Sequence, residues 1–140
     1  MGQDEQRRDP VGHVELTGTV TNVASVLCRV DTDQGEYQCS ARRRLTESDT
    51  GEKNPLTVGD RVRLEITGEG EGVVTEVLPR RTRLSRTDPS DPHVEHVIVA
   101  NVDRALVVGS VKEPPLNVGI IDRYVIAALY GGIQPGVCIN

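Results

Sequence analysis

Apolar and polar positions alternate through the first half of the chain and gather into unbroken apolar runs in the second, so two kinds of β-structure are expected. Residues 13–20, HVELTGTV, set Val14, Leu16, Gly18 and Val20 against polar or small neighbours, the period-two pattern of a half-buried strand. SVLCRVDT (25–32) follows as a second strand, Asp33-Gln34-Gly35 supplies a turn, and EYQCSAR (36–42) makes a third. Residues 42–59 mix Thr, Ser, Asp, Gly, Asn and Pro with no sustained period and read as a long loop. In RVRLEIT (61–67), Val62, Leu64 and Ile66 alternate with Arg61, Arg63 and Glu65; GEGEG (68–72) turns, and GVVTEVL (72–78) is the fifth strand. Five short strands, with the longest connection between the third and fourth, predict an all-β OB-fold barrel over residues 13–84. Closure suits so short a sheet because it leaves few strand edges open.

Residues 1–12 are polar and punctuated by Pro and Gly, the composition of a disordered tail. Residues 85–93, SRTDPSDPH, carry two Asp-Pro steps and little that could be buried, so a linker is expected there. Beyond it, VIVA (97–100) and ALVVG (105–109) are the continuous apolar runs of strands covered on both faces. A helical pattern starts at Asn117, a good N-cap, and puts Ile120, Ile121, Tyr124, Val125, Ala128 and Leu129 on one broad face. Gly131-Gly132 ends it, and GVCI (136–139) is another apolar strand. Strand, helix, strand implies a parallel pair with a crossover, so residues 94–140 read as the start of an α/β domain. Such a sheet needs helices on both faces and one is supplied, so this second domain is expected to be incomplete.

Composition narrows the function. The chain has no Trp or Phe and only Tyr37, Tyr124 and Tyr130 as aromatics, which removes the stacking platform of most single-strand binders. Any RNA contact should go to phosphates and helical shape. The net charge is −5, yet Arg42, Arg43 and Arg44 are consecutive, and Arg80, Arg81, Arg83 and Arg86 crowd a stretch without an acid. These arginines, with Lys53 from the long loop, are the candidate RNA-binding residues; the alternative is solvated charge balancing nearby acids.

Other chemistry is sparse. His93 and His96 flank Glu95, but in an extended segment that spacing sends them to opposite faces, and no metal ligand set is expected. Cys28, Cys39 and Cys138 have no metal-ligand spacing and read as reduced thiols, the first two as small core residues. No apolar run approaches a signal peptide or a membrane span, and Gln6 stands where myristoylation requires Ser or Thr, so a cytoplasmic protein is expected. The phosphate loop GxxxxGK[ST] does not occur, and no catalytic residue can be named. Asn140 sits just past an apolar strand, where an Asn followed by Lys-x-Asp would read guanine.

Taken together, GTVTNV (18–23), YQCSARRRL (37–45), VGDRV (58–62), VLPRRTRLSR (77–86), VANVDRALVV (99–108), IDRYVIAA (121–128) and GGIQPGVCIN (131–140) resemble the ribosome small subunit-dependent GTPase A family, circularly permuted GTPases of small-subunit maturation. The resemblance implies an OB domain contacting ribosomal RNA, then a P-loop-type GTPase domain whose guanine motif precedes its phosphate loop. It implies GTP with Mg, and a structural zinc, for a full-length parent. Asn140 would be the first residue of the guanine motif, while the phosphate loop and zinc ligands have no counterpart here. The expected function is that of the N-terminal part of a GTPase in small ribosomal subunit biogenesis, a monomer bound to that subunit and its rRNA and unable to hydrolyse GTP alone. The alternative is a stand-alone OB-fold RNA- or ribosome-binding module without enzymatic activity.

Overall fold

A computed structural model of the chain describes residues 13–41, 45 and 56–140. The tail expected over 1–12 and most of the long loop, with Arg42, Arg43, Arg44 and Lys53, lie outside the described residues. The first five strands are β1 (Glu15–Ala24), β2 (Leu27–Thr32), β3 (Gly35–Ala41), β4 (Arg61–Gly68) and β5 (Glu71–Val77). They close into a barrel in the order β1-β2-β3-β5-β4, with β1 antiparallel to β4 and β3 parallel to β5. The alternation read from the sequence is the alternation of burial. Leu16, Val20, Cys28, Val30, Cys39, Val62, Leu64 and Val74 point inward, and Leu56 joins them from the connection before β4. Each fully buried Val or Leu contributes about 1.5–3 kcal/mol, so this one cluster carries most of the driving force for the barrel.

Four further strands and a helix follow: β6 (Arg83–Thr87), β7 (Glu95–Ala100), β8 (Arg104–Gly109), α1 (Val118–Tyr130) and β9 (Gln134–Ile139). The crossover is as expected, β8 and β9 pairing in parallel from Arg104↔Gln134 to Gly109↔Ile139. Asn117 caps α1, its Oδ1 accepting from the Ile120 N–H at 3.1 Å, and the Gly131 N–H closes the other end on the Ala127 carbonyl at 3.1 Å.

Two expectations change. Residues 85–93 are not an open connection: Ser85–Thr87 belong to β6, which pairs antiparallel with β7 and so takes VIVA out of the parallel sheet. The aspartates fold the turn themselves. The Asp88 carboxylate accepts from the Ser90 N–H at 2.8 Å and sits 2.7 Å from His96 Nε2, while Asp91 accepts from the His93 N–H at 3.0 Å. The second change concerns burial. On α1 only Ala128 is fully buried, and Leu106, Val108, Val137 and Ile139 of the parallel pair are about half exposed or more, because a single helix covers a single face.

The turn at 57–60 joins the barrel to the hairpin β6–β7. Val58 O accepts from the Ala100 N–H at 3.0 Å, Gly59 O accepts from Asn101 Nδ2 at 2.9 Å, and the Thr57 hydroxyl donates to the Ile98 carbonyl at 3.0 Å. Gly59 is required here twice over: its φ is +92°, and a Cβ would run into the Ala100 carbonyl.

Candidate nucleic-acid interface

The stretch after β5 crosses this joint, and the joint decides what each of its arginines does. Arg80 turns inward. Its Nε and Nη2 meet Asp60 Oδ1 and Oδ2 at 2.7 and 2.9 Å, a two-pronged pair in which the carboxylate is fully buried and the guanidinium 13% exposed. The same Asp60 Oδ2 accepts from the Thr57 N–H at 2.9 Å, so the ion pair fixes the turn that carries the barrel onto the hairpin. Arg80 is therefore a positioning residue. Arg81 points outward: its Nη2 lies 2.7 Å from Asp103 Oδ1, both side chains well exposed, and its N–H donates to Asn101 Oδ1 at 2.7 Å. Arg83 pairs with Glu95 at 3.4 Å in a half-exposed contact, and Arg86 is exposed at the far end of β6. Exposed pairs of this kind are worth about 0–1 kcal/mol, so a phosphate could displace either carboxylate cheaply.

A groove of about 710 Å³ runs between barrel and hairpin beside this joint, with Arg61 and Arg81 at its wall and Gly59 and Asn101 along it. Arg61, whose Nη1 donates to the Thr19 hydroxyl at 3.1 Å, was not singled out by sequence reasoning. It sits as a single outward residue in an alternating strand, and nothing in the pattern separates it from Arg63, which pairs with Glu76 at 3.2 Å. Of the seven predicted arginines, the four among the described residues are not all brought to one surface. One is internal, one lines the groove, and two lie along β6.

Asn140 stands where the parallel pair ends. Its N–H donates to the Gly109 carbonyl at 2.8 Å and its carbonyl accepts from the Val111 N–H at 3.1 Å, which holds it at the carboxyl edge of the sheet, the position at which α/β folds bind ligands. Among the described residues no three His, Cys, Asp or Glu side chains converge.

The two barrel cysteines are inert by position, whereas Cys138 is exposed. Cys28 and Cys39 face each other across β2 and β3 inside the barrel. Burial pushes both thiols up, and for Cys39 burial together with the neighbouring Cys28 takes the value from 9.0 to about 12.

A closed barrel, a hairpin and a parallel strand–helix–strand unit in this order are an arrangement shared with a circularly permuted GTPase of known structure. The crystal structure of YloQ, a circularly permuted GTPase, superposes with a TM-score of 0.61 at 25% identity over 95% of this chain and 43% of its own. YjeQ from Thermotoga maritima does so with a TM-score of 0.64 at 27% identity, over 90% of this chain and 41% of its own. The RsgA N-terminal domain model matches residues 17–74 and the RsgA GTPase model residues 77–140. The chain belongs to the RsgA family, as its N-terminal portion. Among curated relatives, the small ribosomal subunit biogenesis GTPase RsgA of Caldanaerobacter subterraneus is 33% identical over 79% of this chain, and that of Haemophilus influenzae 34% identical over 88%. The chain spans about a third of the length of these relatives, 33% and 34% respectively.

Proposed function

We propose that the chain is the RNA-facing N-terminal part of a cytoplasmic GTPase that acts in small ribosomal subunit biogenesis, and that its barrel and the adjoining groove contact ribosomal RNA. The observation that carries this reading is the pairing of a family-matched barrel with a joint-side groove whose wall presents Arg61 and Arg81 to solvent. With three aromatics in all, the contact is to phosphates rather than to stacked bases. Arg42, Arg43, Arg44 and Lys53, with Arg81, Arg83 and Arg86, are the residues proposed to meet phosphates, while Arg80 acts from inside by holding the turn. Asn140 contributes the first residue of a guanine-reading motif. Hydrolysis of GTP belongs to a parent that also supplies a phosphate loop and Mg, and a zinc-binding part is expected there too.

The test is filter binding to small-subunit rRNA across a salt series. With Arg80 internal, the other six arginines of the two clusters give an expected slope of log K against log salt of about −4, at about 0.7 per phosphate. Reversing Arg42–Arg44 to Glu should abolish binding. A salt-independent interaction with the subunit that survives this reversal would exclude an RNA-phosphate role and point to a protein interface instead.

A further inference from the structure

A second cleft, of about 550 Å³, lies on the other side of the hairpin, between β6 and α1. Leu84, Ile98 and Ile120 make its floor, and Ile98 and Ile120 are 46% and 47% exposed, so an occupant would take apolar surface out of water. Arg86 and Arg123 flank it, both exposed, and neither has an ion-pair partner among the described residues. The cleft also contains a strand edge. β7 is the one strand paired with β6 among the described residues, and four consecutive β6 residues, Leu84 to Thr87, line the cavity.

The direction of that edge follows from its two ends. The Arg83 N–H points away from β7, donating to the Gly131 carbonyl at 3.1 Å, and the Asp88 N–H points toward β7, donating to the Val94 carbonyl at 2.8 Å. The pairing slips between Leu84 and Ser85, but its extra residue, Ile98, lies on β7, so the amides of β6 alternate sides throughout and Ser85 and Thr87 turn their N–H and carbonyl groups away from β7. The end of α1 already satisfies the first outward position at Arg83, and the next two are open to a new strand.

The geometry points to this cleft as the docking site of an extended acidic peptide, which adds a strand to β6 and, because Leu84 and Arg86 share one face of that strand, carries an aliphatic and a carboxylate side chain in turn at every second position. The backbone edge supplies register and part of the affinity, as in other strand-addition complexes. The aliphatic side chains cover Leu84, Ile98 and Ile120, and the carboxylates meet Arg86 and Arg123 in charge-assisted bonds. A nucleic-acid strand would use the two arginines and its phosphates could accept from the outward amides, but a phosphate has no donor for the outward carbonyls of the same residues, which favours the peptide. Only two residues offer the edge, so the interaction is modest in strength and suited to a transient partner.

The probe is a fluorescein-labelled decapeptide of the repeat Val-Val-Glu-Glu, in which each face of the extended chain reads valine and glutamate in turn, titrated with the 140-residue chain and followed by fluorescence anisotropy. Saturable binding is expected, and a peptide with lysine in place of glutamate should not bind. The double variant Arg86→Gln/Arg123→Gln should bind about tenfold more weakly or worse, as expected for the loss of charge-assisted contacts. Both positions are exposed, and an unchanged far-UV circular dichroism spectrum verifies that the variant is folded. The same peptide methylated on every second backbone nitrogen should lose binding to a similar degree, which a purely ionic attraction would not. Absence of binding overturns the proposal. So does binding that survives backbone methylation and is competed away by a uridine oligonucleotide, which would make the cleft a general polyanion site.

Discussion

Asp60 and Arg80 illustrate how a residue of expected surface function becomes part of the interior. Breaking this pair by Asp60→Ala leaves a guanidinium that is 13% exposed without its principal partner, and the expected cost is about 3–5 kcal/mol, read from urea denaturation followed by circular dichroism. Replacing both members with apolar residues of similar size should cost much less, since no uncompensated charge then remains. If Asp60→Ala proved neutral, the pair would have no part in fixing the 57–60 turn. The barrel thiols give a second test at this scale. The Cys39 value is raised in the folded protein, from 9.0 to about 12, so its contribution to stability is complete below 9 and is lost as pH rises from there toward 12. Stability should fall across that alkaline window, and the fall should be reduced in Cys39→Ala when each variant is referred to its own value at neutral pH. Iodoacetamide at mildly alkaline pH should modify exposed Cys138 and spare Cys28 and Cys39, whereas in denaturant all three should react; intact mass distinguishes the outcomes.

Among the elements, the 57–60 turn and the hairpin it holds carry the most consequence. Gly59→Ala places a side chain at φ +92° against the Ala100 carbonyl, so it should destabilise by about 1–3 kcal/mol or more and loosen the hairpin from the barrel. Amide exchange would report this as lost protection at Ala100, whose N–H donates across the joint to Val58. A uniform loss of protection, with no excess at Ala100, would mean that the turn does not act as the joint. At α1, Asn117→Ala removes the oxygen that accepts from the Ile120 N–H and should cost about 1 kcal/mol of local stability. The strands of the barrel and both ends of α1 were legible because each is set by local signals: alternation, a capping side chain, a glycine pair. The hairpin β6–β7 was not. Asp-Pro steps mark a break in any periodic element, and only the returning β7 partner shows that Asp88 and Asp91 are folding a turn rather than releasing the chain.

For the molecule as a whole, burial is uneven. Among the described residues, the barrel holds nine buried hydrophobic residues in one cluster, while the β8–α1–β9 unit adds Ala128 and Ile133 and leaves Leu106, Val108, Ile126 and Leu129 more than 60% exposed. Residues 116–140 should therefore exchange amide protons much faster than the barrel, and equal protection across the two would refute that expectation. Barrel closure, the parallel crossover and the placement of Asn140 at a sheet edge all follow from the periodicity of the chain, because hydrophobic spacing dictates which face of each segment must leave water. Periodicity contains no information about which charges meet. Arg80 and Arg81 are adjacent, yet one lies against a buried carboxylate 20 positions away in sequence and the other faces a solvent groove. That division, the role of Arg61, and the open edge of β6 arise from long-range packing of barrel against hairpin and hairpin against helix, where the partner of a side chain is set by distance in space rather than by spacing along the chain.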